Sequence, residues 1–403
     1  MTLYPGATGA RLPRWLLPDS WPQHNNQPQL ATLHFQADGL QFTPCEGAYA
    51  DYLPLNGALV LPALIEPHAH LDKTFTFERS PARQPGLLAA ITAMHQDRVH
   101  WSQADLHQRA HQALQWAVES GVGLLRTHVD WFSTQAPLSW QVIGELQHPL
   151  CRIERVALAP LSFFASAEDA QHIAAQVAIS GPGALLGGFI HSSNWDAQAF
   201  SHLLHAAEQW QLDIDLHIDE ELDADAQGMR WLANYLQQHP FSGHITCSHS
   251  CALSQQEDAL QILDRLALHP VTLIALPLTN LLLQDAVPHR TPRQRGLTRV
   301  KEAQARGISV LLGADNVQDA FCPLGSYDPL DTLFSGVLSL QLGAAFDEAS
   351  QLICQPDAFR HNDMVIFPHA DTASWPLRQR QRYRLRQGVR YGEETDDARS
   401  RGG

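Results

Sequence analysis

Short apolar runs recur along this chain at nearly regular intervals, with amphipathic stretches between them. Eight of these runs, at 59–66, 122–130, 155–160, 185–191, 212–219, 244–249, 271–277 and 308–315, read as strands. A strand that is apolar on both faces has to be covered on both faces, which is the condition of a parallel sheet flanked by helices. The segments 105–120, 168–179, 196–210, 223–238, 254–268 and 299–306 carry helical periodicity. Asp105 caps the first of them, and Gly121 and Gly307 stop the first and the last. Eight such strands predict an α/β chain folded as a (β/α)8 barrel. A doubly wound sheet would place a Gly-rich turn after an early strand, and that turn is absent.

The two ends differ from the middle. Residues 29–61 and those from Met364 onward carry short alternating segments, at 31–36, 364–368 and 382–390, without barrel-like helices. They predict a small β-domain built from both termini, with 1–61 and 358–403 flanking a barrel at 62–357. The polar tail from Glu393 to Gly403 is expected to fray. A net charge of −15 argues against a nucleic-acid partner or an anionic membrane, either of which needs a basic face. No run approaches the roughly 18 apolar residues of a membrane span, and the apolar patch at 15–18 is too short for a signal peptide. Six cysteines scattered without a framework spacing predict a reduced, cytoplasmic protein.

Polar residues gather where the strands end, which is where a barrel carries its active site. The first strand runs into Glu66-Pro67-His68-Ala69-His70-Leu71-Asp72-Lys73, and the second ends in Thr127-His128-Val129-Asp130. His217-Ile218-Asp219-Glu220, Ser248-His249 and Asp315-Asn316 end three more. His68 and His70 point the same way on an extended strand, as a pair of metal ligands would. With His217 and Asp315 they make three nitrogens and one carboxylate, leaving a coordination position for water. A metal there lowers the pKa of water from 15.7 toward about 7. Glu220, just past a strand end, is placed to carry protons, although a loop carboxylate is the plainer account of such a residue and fits Glu221. His249 is placed to hold the attacking water or polarise the substrate; the alternative is a buried structural histidine. His128 can line the pocket or support the ligands from behind. Cys247 and Cys251 read as small buried hydrophobes, and His107 and His111 as surface residues. No Gly-x-Ser-x-Gly elbow and no phosphate-binding loop occurs.

These segments closely resemble those of the cytosine deaminase-like family of the amidohydrolase superfamily. The likeness extends to Arg295-Gly296-Leu297-Thr298-Arg299-Val300-Lys301-Glu302, to Gly313-Ala314-Asp315-Asn316 and to Pro323-Leu324-Gly325, and it spans about 59–340 in order. The resemblance implies a distorted (β/α)8 barrel beside a small β-sandwich formed by both ends. It implies one divalent metal ion, zinc or iron with manganese as a further candidate, held by His68, His70, His217 and Asp315. Glu220 would move protons, while His249 and Asp315 would orient and deprotonate the water. The fourth strand carries no lysine that could bridge a second metal.

Three departures bear on the substrate. Ala159-Pro160-Leu161 stands where the family has a glutamine that reads a pyrimidine amide, so Leu161 is expected at the substrate wall. Asn316 replaces a second aspartate, and Phe321 stands for a tryptophan. The segment 355–362 compresses a longer stretch of the family. The expected activity is therefore hydrolytic deamination of a nitrogen heterocycle other than cytosine, by a homo-oligomer acting on a small molecule. Hydrolysis of a substituted amine or cyclic amide, as on triazine- or hydantoin-like rings, is the alternative within the class. A metal-binding protein with a retired site is the alternative outside it. The small zinc-type nucleobase deaminases use His-x-Glu and Pro-Cys-x-x-Cys, and neither motif occurs.

Overall fold

The computed structural model describes residues 3–47, 49–82, 84–343, 346–354, 358, 361–368 and 381–391. The tail from Glu393 and most of the compressed segment lie outside them. Eight parallel strands follow one another in chain order. They are β1 (Leu64–Ala69), β2 (Val122–Asp130), β3 (Arg152–Pro160), β4 (Ala184–Ile190), β5 (Ile214–Ile218), β6 (Ile245–His249), β7 (Val271–Ala275) and β8 (Ser309–Leu312). The ring closes just past β8, where Ala69 bridges Asp315 in parallel and the Asp315 N–H donates to His68 O at 2.8 Å. The strands are apolar on both faces because the interior is filled and helices cover the outside. Helix packing is close enough at β4 that a Cβ on Gly188 would lie 2.7 Å from Leu203 Cδ1.

The apolar run at 59–66 is two strands. Leu59–Pro62 pairs antiparallel with Asp363–Phe367, and only Leu64–Ala69 enters the barrel. Both halves are fully buried, so hydropathy carries no mark of the change of sheet. Five α-helices among the described residues carry no strong sequence signal: α1 (Leu87–Asp97), α2 after it at Gln103–Glu119 being an expected one, then Leu138–Gly144, Pro277–Leu283, Pro329–Leu340 and Phe346–Ser350. α1 starts at Gly86, with φ of 100° and no side-chain cap.

By their internal contacts the residues form two compact units, Met1–Ile65 with Val118–Gly123 and Ala344–Gly403, and Glu66–Ala117 with Leu124–Gly343. The first unit holds two four-stranded sheets. Ala7 and Leu33 from one sheet share a single apolar cluster with Val60, Met364, Ile366 and Leu385 from the other, which makes the unit a small sandwich. A buried pair, Arg384 Nη2 to Asp363 Oδ2 at 2.6 Å, belongs to it. No helix among the described residues is long and apolar enough to cross a membrane.

Candidate active site

His68 and His70 leave β1 on the same side, as alternate residues of an extended chain do. His68 Nε2 lies 3.2 Å from His217 Nε2 at the end of β5, and His217 Nε2 lies 3.2 Å from His70 Nε2. Asp315 Oδ1 stands 3.5 Å from His68 Nε2 and 3.1 Å from His70 Nε2. Donor atoms held about 2.0–2.2 Å from one ion stand about 3–3.5 Å from each other, so these are the edges of a coordination polyhedron. Both carboxylate oxygens of Asp315 are buried without a hydrogen-bond partner, which a metal would satisfy. Burial pushes His68 down to about 4 and holds His70 and His217 well below the usual imidazole range, so all three rings are neutral with lone pairs to offer. Burial opposes ionisation of Asp315, yet the rings of His68 and His70 beside it hold its carboxyl well below the usual range. Nitrogen and carboxylate donors in this number fit one divalent transition metal.

Backbone strain accompanies the site. Asp219, His249, Ser250 and Asp315 have φ of 52°, 65°, 48° and 64°, left-handed values that only a well-determined surrounding holds in residues other than glycine. Each lies at or just past a strand end, where the chain must turn while aiming a side chain inward. Glu66 helps to hold one turn by accepting from the N–H groups of Ala314 at 3.0 Å and His68 at 3.1 Å. Behind the ligands, His68 Nδ1 lies 2.8 Å from Ser248 Oγ, which donates to Asp215 Oδ1 at 3.3 Å. That chain leaves His68 Nε2 free for the metal. Burial opposes ionisation of Asp215, but His128 and Arg126 hold its carboxyl well below the usual range.

The proton-handling groups form a second cluster. His249 Nδ1 is 3.3 Å from Glu220 Oε1, and Asn280 Nδ2 lies within 3.3 Å of that oxygen and 3.1 Å of that nitrogen. Gln284 Nε2 donates to Glu220 O at 3.1 Å. Burial, then the negative charge of Asp315, pushes the Glu220 carboxyl well above the usual range. Burial pushes the His249 ring down to about 3.

These groups close one end of a cavity of about 230 Å³. Leu87, Ile91, Met94 and His95 of α1 line it, with Leu158, Pro160 and Phe189 from strands β3 and β4. Trp131, Phe132 and Phe321 add aromatic surface, and the buried Lys73 and Asp130, paired at 2.6 Å, add a charged pair. Asn316 and Phe321 line the cavity among the residues expected to meet substrate. His128 does not line it: fully buried, it stacks on His68 with ring centroids 3.9 Å apart and lies 3.1 Å from Asp215 Oδ1. Leu161 does not line it either. The chain turns there into a short helix, Leu161–Phe164, that takes Leu161 into the core and leaves Leu158 and Pro160 as the wall. Lys73, Asp130, Ser248, Asn280 and the whole of α1 were beyond the reach of sequence reasoning about function. Lys73, Asp130 and Ser248 had a signal, in their place within the strand-end motifs.

The description "Amidohydrolase family" belongs to a family model that matches residues 143–355. The pterin deaminase of Rhizobium rhizogenes (strain K84 / ATCC BAA-868) is 33% identical over 317 residues, 77% of this chain and 71% of that protein. The N-isopropylammelide isopropyl amidohydrolase of Pseudomonas sp. (strain ADP) is 23% identical over 307 residues, 70% of this chain and 69% of that one. The crystal structure of 5-methylcytosine deaminase from Klebsiella pneumoniae liganded with 5-fluorocytosine superposes with a TM-score of 0.79 at 23% identity. It covers 97% of this chain and 98% of that one, and it shows the same fold.

Proposed function

Because the chain belongs to the amidohydrolase family and is a hydrolase of carbon–nitrogen bonds, we propose that it removes the amino group from a flat bicyclic amino-oxo heterocycle of the pterin class. The cavity carries this reading. Its 230 Å³ is below the roughly 300–1,000 Å³ of sites for drug-sized ligands and suits one or two fused rings. Its walls are mainly aromatic and aliphatic with a few polar groups, and its reactive groups cluster together, which is the arrangement a planar ring with one polar edge requires. The likeness to a pterin deaminase points the same way. Leu158 and Pro160 offer no side-chain hydrogen bond to a ring amide, so this wall selects by apolar area, of which a fused bicycle presents more than cytosine. The Asn316 amide nitrogen is held by Asp319 Oδ2 at 2.7 Å, so its carbonyl oxygen is what remains to accept an N–H from the ring.

His68, His70, His217 and Asp315 would hold the ion, for which zinc or iron is our assignment and manganese the further candidate. Bound there, a divalent ion would acidify water to supply a nucleophile near pH 7. Glu220 as a carboxylate takes the first proton of the attacking water and delivers it to the ring nitrogen beside the attacked carbon. It then takes the second proton from the new hydroxyl and delivers it to the amino group, which leaves as ammonia while the carbon keeps the oxygen. A carboxyl held above its usual range suits both halves of that task. Six free cysteines support a cytoplasmic setting, and the chain is expected to self-associate, which light scattering would check.

The test is ammonia release by metal-loaded protein from pterins and cytosine. A pterin should exceed cytosine by at least ~100-fold in kcat/KM, the order expected from burying the second ring against the apolar wall. Comparable turnover of cytosine would sink the assignment. The apolar reach of Leu87, Ile91 and Met94 also favours a second reading, loss of an alkylamine from a substituted triazine-type ring, for which isopropylamine rather than ammonia is the product to measure.

A further inference from the structure

The helix Pro277–Leu283 buries two polar side chains, Thr279 and Asn280, and Asn280 reaches both proton-handling groups. Its amide nitrogen lies 3.1 Å from His249 Nδ1 and 3.3 Å from Glu220 Oε1. An amide nitrogen has two N–H groups, and here it meets two acceptors. Turned the other way, the amide would set its oxygen against a carboxylate oxygen.

We propose that Asn280 is a positioning residue that fixes the tautomer of His249. An Nδ1 that accepts from Asn280 cannot carry a proton, so the neutral ring bears its hydrogen on Nε2. That atom is buried without a hydrogen-bond partner on a ring that lines the cavity. His249 is thereby a hydrogen-bond donor toward the oxygen of water or substrate. It is not a metal ligand, although it stands close enough to His68, His217 and Asp315 to be one. The left-handed backbone at His249 and Ser250 keeps the ring where the amide can reach it. The same donation makes Glu220 Oε1 the accepting oxygen and leaves Oε2 to carry the proton.

This rests on the reading of Glu220 and His249 as the groups that serve the substrate, but its test needs no substrate. ¹⁵N histidine spectra of the zinc-loaded protein, with His249 assigned by its disappearance in His249→Gln, should show Nε2–H for the native chain. In Asn280→Asp, which keeps the shape and as a carboxylate offers only acceptors, the proton should move to Nδ1 at a pH where that carboxyl is ionised. With metal content unchanged, kcat should fall about 10²-fold, as when one preorganised donor is lost, and KM should stay within about threefold. Asn280→Leu should lose activity similarly; if it does not fold, the aspartate variant still decides. An Nδ1–H signal in the native protein, an unchanged tautomer in Asn280→Asp, or loss of zinc from His249→Gln would overturn the proposal. A change of best substrate would overturn only the pterin assignment.

Discussion

Glu220 and Asp319 are both buried carboxyls at the site, and their surroundings give them different tasks. Glu220 faces the reacting groups, so Glu220→Gln should retain the metal while activity falls by roughly 10²- to 10⁴-fold; a loss under tenfold would leave it a structural residue. Asp319 accepts from Asn316 Nδ2 and from the N–H groups of Phe321 and Cys322, and burial still pushes it up to about 7. In the unfolded chain the same carboxyl ionises near 3.8, so between about pH 4 and 7 the folded state binds more protons than the unfolded one. Its contribution to stability therefore declines as pH rises through that window. Asp319→Asn removes the decline, and urea unfolding at pH 5 and pH 8 should show the variant gaining on the native protein by on the order of 1–3 kcal/mol. Because the new amide faces Asn316, the Asn316 amide should reverse and raise KM for the best substrate about tenfold, the scale of one hydrogen bond. The ligand candidates were legible one residue at a time, since imidazoles and carboxylates at strand ends are poor core residues. Asn280 and Ser248 were not, because an amide or hydroxyl gains its role only from what stands opposite.

α1 shows the same limit at the scale of an element. Leu87, Ile91, Met94 and His95 recur at helical spacing and face the cavity, while Ala90 and Ala93 pack with Leu283, Ala320 and Phe321. Its far end is tied down. Asp97 accepts from Arg79 Nε at 2.6 Å and from Trp101 Nε1 at 2.7 Å, and Arg79 also donates to Asp105 in α2 at 2.6 Å. Arg109 of α2 donates to Asp72 O and Thr74 O, each at 2.9 Å, and so holds the loop that follows His70. Arg79 is about a third exposed, which keeps its ion pairs near the roughly 1 kcal/mol of surface pairs. Arg79→Met should raise KM about fivefold, leave kcat within threefold and speed hydrogen exchange of the α1 amides. Unchanged exchange would mean that apolar packing alone seats the helix. The sequence predicted α2 with Asp105 as its cap, but the helix starts two residues earlier, at Gln103, and Asp105 lies in its first turn with its N–H donating to Ser102 Oγ at 3.2 Å. α1 begins at an uncapped glycine and stays silent.

For the whole molecule, metal and stability should be linked. An ion that binds only the folded ligand set stabilises by about 2.7 kcal/mol at 100 times its dissociation constant. Elemental analysis should find about one divalent ion per chain, and a chelator should lower the native Tm by several degrees. His217→Ala should bind little metal and show no such shift; full occupancy in that variant would refute the ligand set. What the sequence determined alone was periodic: eight buried strands, the helices between them, the β-rich ends, and the polar residues at strand ends. Such features follow from which faces meet water, and a local pattern records that. Tertiary structure decided the rest. It split the run at 59–66 between two sheets, took Leu161 and His128 out of the cavity wall, and raised α1 beside the site. It also placed Asn280 between residues 60 positions and 31 positions away in the chain. Contacts of that kind depend on the closure of the barrel, which brings distant strand ends to one rim, and no local pattern encodes their distances.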